Sequence, residues 1–254
     1  MVRRLFLLLV GVLAAASFRP ANAQQSLNTR VVPRDDYFLA QRGYYGGDYA
    51  TALRAFRSVA NGGISSTEGR WVDSICYHTM LGESYYHLGQ STLALEQYEA
   101  ALKLAVAHGD WLLRVQFPDA IAPASLTNRN RITWGASARR SRTGAYPDTM
   151  MSFQGRLNND NVIRNGGVVT PPNLFPLRVT EIVRCTGLSL YRRWELIGPA
   201  GAYTPLSSQI VETLSRRSAP ANHWSQVWIE AQLGLAQAGA GKRAEAVAHL
   251  QRAI

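Results

Sequence analysis

The stretch Leu81–Ala101, LGESYYHLGQSTLALEQYEAA, decides the fold. Leu81-Gly82 and Tyr85 are followed by Gly89, then by Ala94, Tyr98 and Ala101. The same spacing appears upstream in Leu39-Ala40, Gly47, Ala52, Phe56 and Val59, and downstream in Leu233-Gly234, Gly241, Ala246, Leu250 and Ala253. Counted from the small residue (Ala40, Gly82 or Gly234), a glycine stands seven places on, a second small residue twelve, and a large apolar residue sixteen. Two antiparallel helices approach closely only where one offers the other a small side chain. The spacing therefore predicts that Gly82 meets Ala94 at a helix crossing, with Leu81, Tyr85 and Tyr98 filling the space around it. Gly47, Gly89 and Gly241 fall where the first helix of each pair must end in a left-handed turn, which glycine adopts without steric cost.

This pattern resembles the tetratricopeptide repeat, a 34-residue helix-turn-helix unit. The resemblance implies a mostly α-helical chain of such hairpins, of α-solenoid type, interrupted by an irregular, partly β insertion. Two repeats are expected over 33–108, Pro33 to Ser66 and Ile75 to His108, joined by the loop Thr67 to Ser74. The match is imperfect: Gly43 and Gln237 stand where the family prefers an aromatic residue, and Val106 stands where a proline often closes the unit. A generic helical-hairpin protein is the competing reading. A third repeat is expected within 221–254. Counted from Val227 only 28 residues remain, short of a full unit and of the polar capping helix that solenoids use, so a longer protein is expected. In the family, ligands lie in the groove formed by the first helix of each unit. Carried over by position, the resemblance implies groove residues Tyr37, Gln41, Tyr44 and Tyr45 in the first repeat, and Thr79, Glu83, Tyr86 and His87 in the second. Tyrosine suits a binding face because it is large, stiff and amphipathic, and it suits packing between repeats equally well.

Met1 to Ala23 reads as a secretory signal peptide. Arg3 and Arg4 precede a twelve-residue apolar run, and Ala21-Asn22-Ala23 forms a small-x-small cleavage site. Twelve apolar residues are too few to cross roughly 30 Å of hydrocarbon. The expected location is therefore periplasmic or extracellular, with no membrane span after cleavage. The chain holds only two cysteines, Cys76 and Cys185, which excludes a disulfide-dense scaffold. Each lies in a stretch that reads as helix, without a CxxC partner, and buried free thiols are the expectation.

The 254 residues carry 27 basic and 17 acidic side chains, a formal charge of +10, and only two of the basic residues are lysine. Most of the excess falls between Leu112 and His223, with 14 basic and 6 acidic groups. The segment 109–176 is rich in proline and glycine and reads as irregular, with short strands at Trp111–Phe117 and Thr149–Phe153 and a hairpin across Asn165-Gly166. The segment 177–217 reads as a helical pair that stacks between repeats. Its first helix, Leu177 to Leu196, has Trp194 near the apolar face and Arg193 inside the apolar arc, and a Thr204-Pro205 cap starts its second.

No catalytic signature is present: there is no HExxH, GxSxG or P-loop spacing, the five histidines form no metal-ligand pattern, and no cofactor or enzymatic activity is expected. Gly239 to Ala244 imitates a dinucleotide fingerprint but follows a helix, where the repeat's own turn explains it. The arginine clusters, with Arg139, Arg140 and Arg142 and the pair Arg192 and Arg193 foremost, are candidates for binding an anionic envelope polymer or a solvated basic surface. Nucleic acid fits poorly with export. The favoured expectation is an exported interaction scaffold that takes a peptide or protein in the groove. The alternatives are the regulatory front of a longer exported protease or hydrolase, and anionic-polymer binding by the insertion.

Overall fold

The computed structural model describes residues 30–66, 69–119, 121–123, 144–145, 147–154, 173–216 and 218–254. The expected signal peptide, the 162–169 hairpin and Arg139, Arg140 and Arg142 lie outside them. Among the described residues the chain is mostly helical: α1 (Asp35–Tyr45), α2 (Tyr49–Val59), α3 (Ser74–His87), α4 (Ser91–Ala107), α5 (Val179–Ile197), α6 (Pro205–Ser215), α7 (Gln226–Gly239) and α8 (Arg243–Arg252). No helix among them is long and apolar enough to cross a membrane.

Three helical hairpins, α1–α2, α3–α4 and α7–α8, close on one repeated turn. At the end of α1 the Gly47 amide donates to the Tyr44 carbonyl and the Asp48 amide to that of Gly43. Gly89 to Tyr86 with Gln90 to Tyr85, and Gly241 to Ala238 with Lys242 to Gln237, repeat the pair. The three glycines have φ of 82°, 73° and 77°, the left-handed geometry that lets the last carbonyls of each first helix find donors. Across the second and third crossings the small residue packs closely against the large residue sixteen places on, and at Gly234 the Ala246 carbonyl also approaches. A Cβ on Gly82 would lie 2.6 Å from Tyr98 Cε1, and one on Gly234 would lie 2.6 Å from Leu250 Cγ. At Gly82 the ring of Tyr98 fills the hollow above the glycine, as the spacing predicts for the space around the crossing. Polar pairs repeat too, since His78 Nδ1 lies 2.9 Å from Gln97 Oε1 in the second hairpin and His249 Nδ1 lies 2.8 Å from Glu230 Oε2 at the same places in the third.

α5 packs on α3 and α4 and α7 packs on α5, so the segment after the insertion inserts a layer between the second and third hairpins. Thr204 caps α6 by accepting from the Ser207 amide, and Pro205 opens it. A short antiparallel pair, β1 (Met150–Phe153) and β2 (Leu174–Leu177), sets where α5 begins. Val32 bridges to Leu177 beside it: the Val32 amide donates to Pro176 O and the Arg178 amide donates to Val32 O. The chain entering α1 and the chain entering α5 therefore run side by side, and Arg178 binds Asp35 (2.6 Å) and Asp148 from that junction. The strand expected over Trp111–Phe117 is instead a 3-10 turn at Trp111–Arg114 followed by an isolated bridge from Val115 to Ser152. Trp111 and Leu112 are both buried there, which the alternation of a half-buried strand does not allow.

The main core joins Val32, Tyr37, Phe56, Ile75, Met80, Tyr98, Leu177 and Ile182. A smaller cluster of Leu102, Leu190, Leu206, Ile210 and Ala236 holds α4 to α7 together. One ionisable group is buried at the foot of α3: Asp73, whose Oδ2 accepts from the Ile64 amide at 3.0 Å. Burial pushes its carboxyl up to about 7, against weaker downward pulls from that amide and from Arg30 and Arg70.

Gly82→Ala, forced against Tyr98, lowers stability by roughly 1–3 kcal/mol, whereas Gly187→Ala in α5, whose Cβ meets only Leu235 Cδ1 at 4.0 Å, raises it by about 0.5–1 kcal/mol. Denaturant midpoints check both, and a gain for Gly82→Ala or a loss for Gly187→Ala refutes the packing described. The native state also holds the Asp73 proton more tightly than the unfolded chain does. The stability this supplies is full below the ordinary aspartate pKa and is lost as pH rises through about 7. Asp73→Asn keeps an acceptor for Ile64 and removes that slope. Equal slopes for the two proteins between pH 4 and 8 contradict it.

Candidate functional site

The seam between α3 and α5 is a ladder of polar contacts on helices that are otherwise apolar toward each other. Its rungs join Cys76, Thr79 and Glu83, spaced three and four residues apart on one face of α3, to Cys185, Ser189 and Arg192 on α5. Cys76 faces Cys185, whose thiol, after burial, helps push the Cys76 thiol up. The Thr79 hydroxyl lies 2.9 Å from that of Ser189 and donates to the Cys185 carbonyl at 3.3 Å. Arg192 donates to Glu83 through Nε at 2.8 Å and Nη2 at 3.3 Å.

Glu83 gathers the site. Only 1% of its side chain is exposed, and it accepts from the hydroxyls of Tyr44 on α1 and Tyr98 on α4, each at 2.6 Å, as well as from Arg192. One carboxylate thus binds side chains from three other helices. Burial alone would raise its pKa, but the hydrogen bonds from Arg192, Tyr44 and Tyr98 and the charge of Arg192 outweigh burial and hold it below the usual glutamate value. Burial and the neighbouring carboxylate push both tyrosines in the opposite direction, so they stay protonated as donors.

A second carboxylate, Glu181, performs the same task one end along. It accepts from Tyr37 Oη at 2.5 Å, Gln41 Nε2 at 3.0 Å and the Arg184 guanidinium at 2.7 and 2.8 Å. Hydrogen bonds from Arg184, Tyr37 and Cys185 lower its pKa against the effect of burial.

The eight residues expected to line a groove therefore divide. Tyr37, Gln41, Thr79 and Glu83 are buried, because α5 lies across the first helices and takes up their polar groups. For these four an open groove is corrected to a closed seam. Tyr44, Tyr45, Tyr86 and His87 remain at its edge and form a continuous strip of rings. Tyr45 sits edge-on to Tyr44 (5.3 Å between centroids), and Tyr44 lies 5.5 Å from His87. His87 stacks on Tyr49 at 4.4 Å and meets Tyr86 at 5.4 Å. The Arg192 guanidinium lies 4.1 Å over the Tyr86 ring and 5.8 Å from that of Tyr191, which neighbours Trp194 at 6.2 Å. Tyr45 is 69% exposed and Trp194 47%, so Trp194 faces outward rather than toward the core as its helical phase suggested.

The two arginines proposed for anions have internal partners. Arg192 binds Glu83 and Glu195, and Arg193, which is buried, donates to Glu99, Ser207 and Thr204. The apolar arc around Arg193 is the sequence signal for that burial. Sequence reasoning missed the seam itself, although Cys76-Thr79-Glu83 and Cys185-Ser189-Arg192 both repeat polar residues at helical spacing. Tyr49, Tyr191, Trp194 and Glu195 of the strip were also missed. Among the described residues no group of three His, Cys, Asp or Glu side chains is arranged to hold a metal ion. No model of a known protein family, no curated protein and no solved structure matches the chain.

Glu83→Gln leaves Arg192 without its buried counter-charge and costs roughly 3 kcal/mol at neutral pH. The contribution of the native carboxylate is full above the ordinary glutamate pKa and lost as pH falls through its lowered native value. The gap between wild type and variant, read from denaturant midpoints, therefore narrows on acidification. A gap that is absent at pH 7, or that widens toward pH 3, refutes the assignment.

Proposed function

We propose that the chain is an exported helical-repeat protein of the tetratricopeptide type that acts by binding a peptide or protein partner rather than by catalysis. The observation that carries this reading is the strip from Tyr45 through Tyr44, His87, Tyr86 and Arg192 to Trp194. It is a row of rigid aromatic rings on three helices, partly exposed and fixed from beneath by Glu83. Rings held in place lose little conformational freedom on contact, which is why such residues dominate binding energy at interfaces. The depth of the groove is filled by α5, so a partner lies along the edge of the first helices and across the outer face of α5, rather than inside a trough.

The strip suits an extended segment that presents apolar or aromatic side chains, with Glu195 and His87 offering polar contacts at its borders. Panning a displayed random-peptide library on the chain tests this. Enriched peptides are expected to bind the wild type and to lose at least tenfold in affinity for the Tyr45→Ala/Trp194→Ala double variant, with circular dichroism unchanged. Failure of any peptide to enrich, or equal binding to the variant, contradicts the reading.

A further inference from the structure

Cys76 and Cys185 lie 109 positions apart in sequence, yet the fold brings them to one rung of the α3–α5 seam. Both are buried with no exposed surface, and both have free thiols in this structure. Their neighbourhood is fixed from several sides. Tyr37 Oη lies 3.5 Å from Cys185 Sγ, Glu181 Oε1 and Arg184 Nη2 each lie 3.6 Å from it, and the Cys185 carbonyl accepts from Thr79, one helical turn after Cys76. The two chain segments are thus held together by contacts of their own, one end along from the Glu83–Arg192 rung. Small side chains along this seam let the two helices come close.

We infer that Cys76 and Cys185 form a site of disulfide cross-linking that joins α3 to α5 when the chain folds under oxidising conditions. The oxidant is a disulfide compound, such as glutathione disulfide. One protein thiolate attacks it to give a mixed disulfide and release one thiol, and the second protein thiolate then displaces the other. Two protons and two electrons leave the protein, and two molecules of the small thiol form. Burial pushes the Cys76 thiol up and keeps solvent out, so the bond closes before α5 docks, or during its transient release, and not in the settled fold. The cross-link spans the whole insertion. It restricts the unfolded chain over a long loop and fixes the returning helix against the hairpin that carries Glu83.

The full chain refolded from guanidinium in a glutathione redox buffer, and in parallel with excess dithiothreitol, tests this. Each sample is denatured, blocked with N-ethylmaleimide and digested without reduction. The oxidised sample is expected to contain a linked Cys76–Cys185 peptide pair and no blocked cysteine, native circular dichroism, and a guanidinium midpoint above that of the reduced sample. The Cys76→Ala/Cys185→Ala variant, which leaves the Thr79–Ser189 and Glu83–Arg192 rungs in place, should show no shift of midpoint between the two buffers. Two blocked cysteines in oxidatively refolded, natively folded protein overturn the inference. So does a linked product whose circular dichroism is non-native or whose midpoint falls below that of the reduced chain.

Discussion

Everything around the α3–α5 seam depends on the charge of Glu83. A carboxylate with 1% exposure is tolerated only if its lone pairs are filled, and here Arg192, Tyr44 and Tyr98 fill them from α5, α1 and α4. A buried ion pair is not in itself a large source of stability, since an apolar set of the same shape often does as well. What it imposes is register. α5 slid by one turn would part Glu83 from Arg192 and leave a buried carboxylate without its counter-charge, so the helix that returns from the insertion has one favourable position against the first two hairpins.

That constraint connects the core to the surface. The arginine that neutralises Glu83 also lies over Tyr86, and the tyrosine that donates to Glu83 is the central ring between Tyr45 and His87. The exposed strip is therefore built on the buried network rather than added to it. The short β1–β2 pair acts at the other end, where the Val32–Leu177 bridge and Arg178 set the starts of α1 and α5 side by side and allow Glu181 to meet Tyr37 and Gln41.

The hairpins were legible because their signals are local. A glycine with positive φ at a fixed distance from a small residue is a backbone requirement, and Gly47, Gly89 and Gly241 each meet it. The spacing also marks which residues are small and large at the crossing, and Tyr98 fills the hollow above Gly82 accordingly. The placement of α5 was not legible at all beyond its existence as a helix. Its contacts with α1 and α3 join residues more than a hundred positions apart, and Arg192 and Cys185 read alone suggest a surface charge and an isolated thiol. Four residues assigned to an open groove, Tyr37 and Gln41 on α1 and Thr79 and Glu83 on α3, are buried, because the phase of a helix does not reveal that another helix covers it. Arg193 is the reverse case, where its place within the apolar arc foretold its burial.

A double-mutant cycle on Glu83 and Arg192 tests the central claim most directly. Stabilities of wild type, Glu83→Gln, Arg192→Met and the double variant are measured by denaturant unfolding. If the pair organises the seam, the double variant loses less than the two single losses combined, with a coupling energy of at least about 1.5 kcal/mol. Losses that add to within roughly 0.5 kcal/mol would mean that the two side chains act independently and that α5 is held in place by something else.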